Sequence, residues 1–339
     1  MSHPEAQEQQ ESPRSPESVR MPGTPREHLS SETTRSVLRV QHRMLMGIRR
    51  HLDEAGFTEL HAPIIGPVTD PGCRGAKQVD IDYYGRRYKL MTSAILYKQA
   101  SLHAFDKIFC IAPNIRLEPP EAASTSRHLA EFHQIDIEVA GYTREQIMGV
   151  AQGIVVAAVR EVVTRMPEEL ERLGRDPGAF QQLLEQQPFD RITHAEAVAQ
   201  VDGDPHAEID WEGEARISRK ATRPFFVTDY PKGSRGFYDR ESREHPGVLR
   251  NFDLLAPEGY GELASGSERE FEYARIVTRM RETGENPAKY DWYLDMVREG
   301  IQGSAGFGIG FERLTRYITG VQYVWEASAY PKIPGVYSA

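Results

Sequence analysis

KIFCIAPNIRLEPPEAASTSRHLAEFHQIDIEV, residues 107–139, holds two runs of strand character around a polar loop rich in Pro and Ser. The apolar run Ile108–Ala112 leads into NIRLE, where strict alternation puts Asn114, Arg116 and Glu118 on one face and Ile115 and Leu117 on the other. The second arm, EFHQIDIE, puts Phe132, Gln134, Asp136 and Glu138 on one face, with Ile135, Ile137 and Val139 opposite. The expected product is an antiparallel hairpin with an oily back and a polar front. The loop adds Arg127 and His128. That front has the parts needed to hold a nucleotide: a guanidinium for phosphate, a ring for base stacking, and acids for amines or a metal. Alternation alone fits an ordinary half-solvated sheet as well.

At 339 residues the chain can bury a substantial core. A net charge of −9 argues against a broad nucleic-acid footprint and leaves room for a local basic patch. The two cysteines, Cys73 and Cys110, lack metal-ligand spacing and read as reduced thiols of a soluble, cytoplasmic protein. No stretch reads as an apolar run long enough to cross a membrane, and the N-terminus has no apolar signal core. Residues 1–30 are rich in Ser, Pro, Glu and Gln, and are expected to be disordered. From about Ser31, Val37, Leu38, Leu45, Ile48 and Leu52 recur at helical spacing up to Gly56. FTELHAPII then reads as a strand broken by Pro63, and GPVTDPGCRGAK, residues 66–77, as turn chemistry. DIDYYGRRYKLM predicts a hairpin around Gly85, followed by a helix capped by Thr92 or Ser93 that carries Lys98. A lone helical lysine is ordinarily a solvated charge. Residues 144–166 predict a long helix closed by Pro167, residues 168–222 a charged region of short helices, and PFFVTDYPKGSRGFYDR a return to strands.

Two later segments carry polar residues in patterned surroundings. NFDLLAPEGYGELASGSEREFEYARI, residues 251–276, places Glu262, Ser267 and Arg269 in a Gly-rich strand. GSAGFGIGFERLTRYITG, residues 303–320, reads as a glycine-rich strand opening a helix with Arg313 in its first turn. Free N–H groups and partial positive charge at that helix start, together with an arginine, suit a terminal phosphate, and the glycines let the backbone pass close to a nucleotide. It is not a P-loop, because G-K-[ST] is missing.

Taken in order, these stretches resemble motifs 1, 2 and 3 of class II aminoacyl-tRNA synthetases, in the aspartyl/asparaginyl subgroup. The resemblance implies an α+β fold, an antiparallel sheet flanked by helices, in one catalytic domain spanning 31–339 with a helical insertion at about 168–222. It implies ATP as substrate, with Arg116 on the α-phosphate, Glu118, Arg127, His128 and Gln134 around the adenine and outer phosphates, Phe132 stacked on the base and Arg313 on the γ-phosphate. It implies Mg2+ on Glu262 and Ser267. For the amino acid it implies Ser93, Lys98, Asp136 and Arg269, with Lys98 and Arg269 gripping a carboxylate and Asp136 the α-ammonium. It also implies a homodimer through the helix and strand of 31–65, and a mobile loop at 66–77. Glu262 is even-numbered while Ser267 and Arg269 are odd, so one face can carry all three only if the strand absorbs an extra residue. Gly266 is the expected bulge.

TSAILYKQ is similar to the aspartate enzymes' QSPQLYKQ, whose lysine pairs with the substrate's side-chain carboxylate, so Lys98 points to aspartate. Thr92 and Ile95 replace the family glutamines and Ala94 the proline, which puts the α-ammonium contacts in question. The chain shows no barrel for an anticodon ahead of residue 31, so tRNA is expected not to be a partner. Truncated relatives that this chain resembles are archaeal-type asparagine synthetases. The leading expectation is therefore an AMP-forming aspartate–ammonia ligase. Transfer of activated aspartate to another amine, a carrier protein or a tRNA is the alternative, and a non-catalytic paralogue the third. Which carboxylate is activated stays open.

Overall fold

The computed structural model describes residues 21–71 and 75–336. The disorder expected of the tail therefore lies outside the described residues for 1–20, as does the reading of Cys73. For the rest of the tail the expectation fails: α1 (Pro25–Ser30) is a helix whose Thr24 and Glu27 form a reciprocal capping box. Ser31 then caps α2 (Glu32–Glu54), which buries Val37, Val40, Met44, Ile48 and Leu52. Gly56, with φ +77°, lets the chain leave that helix.

The principal sheet has eight strands in the order β1-β5-β6-β11-β10-β9-β8-β7. Its strands are β1 (Thr58–Glu59), β5 (Lys107–Ile115), β6 (Glu131–Ala140), β7 (Asp190–Thr193), β8 (Phe225–Thr228), β9 (Asn251–Ala256), β10 (Gly261–Glu268) and β11 (Ser304–Gly310). Only the outermost pairs, β1–β5 and β7–β8, are parallel. β2 (Ile65–Gly66), β3 (Asp80–Tyr83) and β4 (Arg86–Leu90) make a separate small sheet. The hairpin of 107–139 pairs from Lys107↔Val139 to Ile115↔Glu131, so its oily and polar faces segregate as the alternation requires. β5 stops at Ile115, however, and Arg116 and Glu118 follow it in irregular chain.

α4 (Arg144–Arg165) lies with α2 against the oily back of the sheet. By length and composition α4 is apolar enough to cross a membrane, which corrects the expectation that no stretch would be. With 56% of its apolar window buried inside the protein, including Ile147, Ile154, Val155, Val159 and Val162, it is a core helix. α11 (Phe311–Thr319) completes that layer through Leu314, Tyr317 and Ile318. α3 (Ile95–Ser101), α9 (Tyr273–Glu282) and α10 (Asp291–Gly300) form a second cluster around Phe237 and Tyr293. α3 starts later than expected: Ala94 occupies the cap position, and the Ser93 hydroxyl accepts only the Ile95 N–H, at 3.2 Å.

The region 168–222 holds α5 (Pro167–Arg172), α6 (Gln181–Glu185), α7 (His194–Ala199) and α8 (Trp211–Ser218), together with edge strand β7. It is therefore part of the main sheet as well as a set of helices. PFFVTDYPKGSRGFYDR supplies strand only at 225–228, and Phe237 and Tyr238 lie beyond it. β10 does absorb one extra residue, but at Leu263: β9 pairs Glu262 with Leu255 and Ala264 with Leu254. Leu263 and Ala264 both enter the core, and the strand turns Glu262 back toward the polar face.

Gly266 does another job. A Cβ there would lie 2.5 Å from the Phe307 Cβ, 2.6 Å from Phe252 Cζ and 2.7 Å from the Gly306 carbonyl oxygen. Backbone cannot yield as a flexible side chain does, so Gly266→Ala is expected to destabilise the protein by about 1–3 kcal/mol. Urea denaturation midpoints, at unchanged slope, measure that loss.

Candidate active site

The polar face of the sheet opens into a cavity of about 570 Å³ lined by Ser93, Lys98, Arg116, Glu118, Arg127, His128, Gln134, Asp136, Glu262, Arg269 and Arg313. A smaller lobe shares Arg116, Glu118, Arg127, His128, Gln134, Glu262 and Arg313 and adds Phe132, Leu129, Glu312 and Val324. Side chains from the first hairpin and the last helix thus meet in one place, some two hundred residues apart in sequence.

Three strands build the floor. Alternation on β11 sends Ala305, Phe307 and Ile309 into the core, leaving Gly306, Gly308 and Gly310 on the polar face. Gly306 and Gly308 are required by side chains of β6: a Cβ at Gly306 would fall on the Glu138 carboxylate, and one at Gly308 would lie 2.9 Å from Asp136 Oδ1 and 3.0 Å from Gln134 Nε2. Their close approach is therefore to neighbouring carboxylates and an amide.

At the amino-acid end, Lys98 is 3% exposed. Its ammonium donates to Asp136 Oδ1 at 2.7 Å and to the Phe307 carbonyl at 3.0 Å, and lies 3.9 Å from Glu138. Arg269 donates to Glu138 at 3.1 Å and to the Ser267 hydroxyl at 2.8 Å. The two expected carboxylate grips therefore share one buried acid, Glu138. Asp136 Oδ2 is buried with no partner, which leaves an acceptor turned to a cation such as a substrate ammonium. Thr92 is not at that site: its hydroxyl donates to the Asp70 carbonyl at 3.1 Å, tying helix α3 to the 66–71 turn.

At the nucleotide end, the Arg116 guanidinium sits 5.0 Å from the centre of the Phe132 ring and donates to the Thr92 carbonyl at 3.1 Å. Arg313 approaches the Glu262 carboxylate at 3.4 Å, and Arg127 pairs with Glu214 at 2.6 Å. Burial alone would raise the Glu262 carboxyl, yet Arg313, Arg127 and Arg235 outweigh it and hold the group at about 2. Burial, reinforced by Arg313 and Arg127, pushes His128 down to about 3, so its imidazole is neutral at physiological pH. Burial raises the Glu118 carboxyl, with Arg116 and Arg313 opposing.

The metal assignment changes in one member. Ser267 is fully buried behind the cavity, donating to Asp239, and does not line it. Ser265, three residues after Glu262, does, because the extra residue at Leu263 brings it to the cavity. Glu214, Asp253 and Glu262 each present a carboxylate oxygen within 4.8 Å of the others, and Asp253 Oδ1 is buried without a partner. An all-oxygen anionic set of this kind fits a hard divalent cation.

Sequence reasoning missed Glu214, Asp239, Asp253 and Arg235. Arg235 donates to Asp253 at 2.6 Å and to the Ser265 hydroxyl at 2.7 Å. Asp253 had a signal, an acid in the middle of the apolar run NFDLLA; Arg235 and Glu214 sit in turn and surface-helix contexts that carry none.

Three arginines, a neutral histidine and a cluster of carboxylates thus line one cavity on an antiparallel sheet. The family model for tRNA synthetases class II (D, K and N) matches residues 26–334, and the chain belongs to that family. It is 35% identical to an asparagine–tRNA ligase of Thermus thermophilus over 88% of this chain and 69% of that protein, and 32% identical to one of Pyrococcus abyssi over 91% and 70%. Its structure is similar to that of asparaginyl-tRNA synthetase from Pyrococcus horikoshii complexed with asparaginyl-adenylate, with TM-score 0.86 and 29% identity over 93% of this chain and 72% of that one. Relatives of this kind remove the ground for expecting that tRNA plays no part.

His128 generates a pH test. Its folded-state value of about 3 lies below the ordinary 6.5, so between those values the unfolded chain binds a proton that the folded one refuses. Stability should fall as pH drops below about 6.5. His128→Gln is expected to flatten that acid slope, read from urea midpoints between pH 7 and 4.

Proposed function

We propose that this chain activates an amino acid of the aspartate/asparagine class, aspartate by its Lys98, as an acyl-adenylate at the expense of ATP. The observation that carries this is the convergence of Arg116, His128, Glu262 and Arg313 with Lys98, Asp136 and Arg269 around one cavity. A carboxylate oxygen of the amino acid attacks the α-phosphorus, the bond to the bridging oxygen breaks, and pyrophosphate leaves. No proton moves in that step, so positioning and charge neutralisation carry it.

Arg116 faces the α-phosphate, and the ring it covers, Phe132, forms the base shelf. Neutral His128 offers hydrogen bonding among three arginines without adding charge. Arg313, in the first turn of α11, takes the outer phosphates. Mg2+ on Glu262 and Asp253, with Ser265 and Glu214 beside them, would neutralise phosphate charge. Asp136 Oδ2 takes the ammonium of the amino acid, while Lys98 and Arg269, tied through Glu138, face its second polar group.

The acceptor that the comparisons support is a tRNA, since relatives matching over nearly the whole chain are asparagine–tRNA ligases. Ammonia is the second reading, favoured by Lys98: a core that activates aspartate among relatives named for asparagine yields asparagine if the side-chain carboxylate is adenylated. A cytoplasmic location and pairing of two copies through 31–65 belong to the same proposal. Exposed Ile64 beside edge strand β1 supports the pairing.

Pyrophosphate exchange into ATP should depend on aspartate more than on asparagine. Arg116→Ala and Arg313→Ala are each expected to lower it by about 10²–10³-fold. Exchange with asparagine alone would sink the aspartate assignment, and adding ammonium or tRNA then tells which acceptor releases AMP. Glu262→Gln should also raise the Mg2+ concentration needed for half-maximal exchange.

A further inference from the structure

The β3–β4 hairpin carries aromatic and cationic groups that the adenylating cavity does not use. Directly opposed residues share a face of an antiparallel pair. Tyr83 opposes Arg86 and Ile81 opposes Tyr88, so one face holds Tyr83, Arg86 and Tyr88, and the other holds Asp80, Asp82, Arg87 and Lys89. On the second face Lys89 pairs with Asp80 at 2.7 Å, and Asp82 accepts the Gly85 N–H at 2.8 Å. The first face carries no acid: it holds Ile81, Tyr83, Arg86 and Tyr88, and Arg86 forms no ion pair among the described residues.

The tip is stranger. Tyr84 is 95% exposed and sits at φ +52°, beside Gly85 at φ +81°. A left-handed conformation is unfavourable for a non-glycine residue, and a ring held in water recovers none of that cost by burial. Tyr83 is 53% exposed and meets Tyr84 and Tyr88 edge-on at 5.4 Å and 5.7 Å. Two exposed rings, the half-buried ring of Tyr88 behind them and an exposed guanidinium thus lie together at the tip.

We propose that this face, Tyr83, Tyr84, Arg86 and Tyr88, is a stacking platform for the single-stranded end of an RNA acceptor. The inference rests on reading the cavity as an adenylating centre that serves an RNA. Aromatic faces stack bases without regard to sequence, and an unpaired guanidinium meets the phosphate between them. In a chain of net charge −9, this face offers a polyanion an arginine and no carboxylate of its own. The platform is also continuous with the site. β4 runs from Arg86 to Leu90 and on to Thr92, whose carbonyl accepts from Arg116. Six residues of extended chain span roughly 20 Å, about six stacked nucleotides at ~3.4 Å each, so a single-stranded tail held at the hairpin reaches the adenylate.

The test uses the full chain, a fluorescent single-stranded hexaribonucleotide and a tRNA pool, with Tyr84→Asn and Arg86→Ala alone and combined. Asparagine keeps the left-handed turn, so the hairpin survives. Expected are unchanged aspartate-dependent pyrophosphate exchange, a loss of about 5- to 150-fold in hexamer affinity for Tyr84→Asn, and a salt slope shallower by about 0.7 for Arg86→Ala. Equal hexamer affinity in wild type and double variant overturns the proposal, as does a wild type that binds neither RNA. A sedimentation shift from dimer to monomer in Tyr84→Asn overturns it too, by making the face a contact between copies. Loss of exchange in the wild type would remove the adenylation reading instead, leaving the RNA titration to judge the platform.

Discussion

Glu138 is a carboxylate with no solvent exposure, and the active-site floor is arranged around its charge. An isolated buried carboxylate is strongly unfavourable, so it requires partners. It accepts from Arg269 and from the Ser304 hydroxyl, and Lys98 lies 3.9 Å away. Glu138 lies on β6, and its partners come from α3, the residue just past β10 and the start of β11. Satisfying one charge therefore fixes how four segments sit relative to one another. Gly306 belongs to the same constraint, since any side chain there would occupy the carboxylate's place.

The sheet separates two physical jobs by its two faces. One buries Ile135, Ile137, Phe307 and Ile309 against α2, α4 and α11 and supplies the apolar burial that holds the domain together. The other holds charges in water-poor surroundings, where each is answered by an opposite one nearby. Arg313 and Arg127 keep Glu262 ionised at about 2 despite its burial, and burial, reinforced by the same arginines, keeps His128 neutral. A triphosphate entering such a site meets cations whose present partners are carboxylates, so binding exchanges one set of ion pairs for another.

Much of the fold was legible because alternation and helical spacing are local. The hairpin of 107–139, α2, α4 and the β3–β4 turn at Gly85 all lie where periodicity and turn chemistry put them. The need for one extra residue in β10 also followed from parity alone. Its position did not: parity is satisfied by an insertion anywhere between Glu262 and Ser267, and the core chose Leu263, which it could bury, over Gly266, which is held by Phe307 and Phe252. That choice moved Ser265 to the cavity, while Ser267 lies behind Asp239 and Arg269, which bond to it and line the cavity.

By itself, the sequence determined the three ordered stretches, the polar face of the β5–β6 hairpin, and the placement of Lys98 and Arg313 on helices, because these depend on short-range spacing. Only the tertiary structure decided which charges answer which. Glu214 and Arg235 come from a surface helix and a turn, and Asp253 from a buried strand, yet Glu214 and Asp253 meet Glu262 in one carboxylate cluster and Arg235 bonds to Asp253. Electrostatic partnership depends on distance in space, and no period within a single segment encodes that.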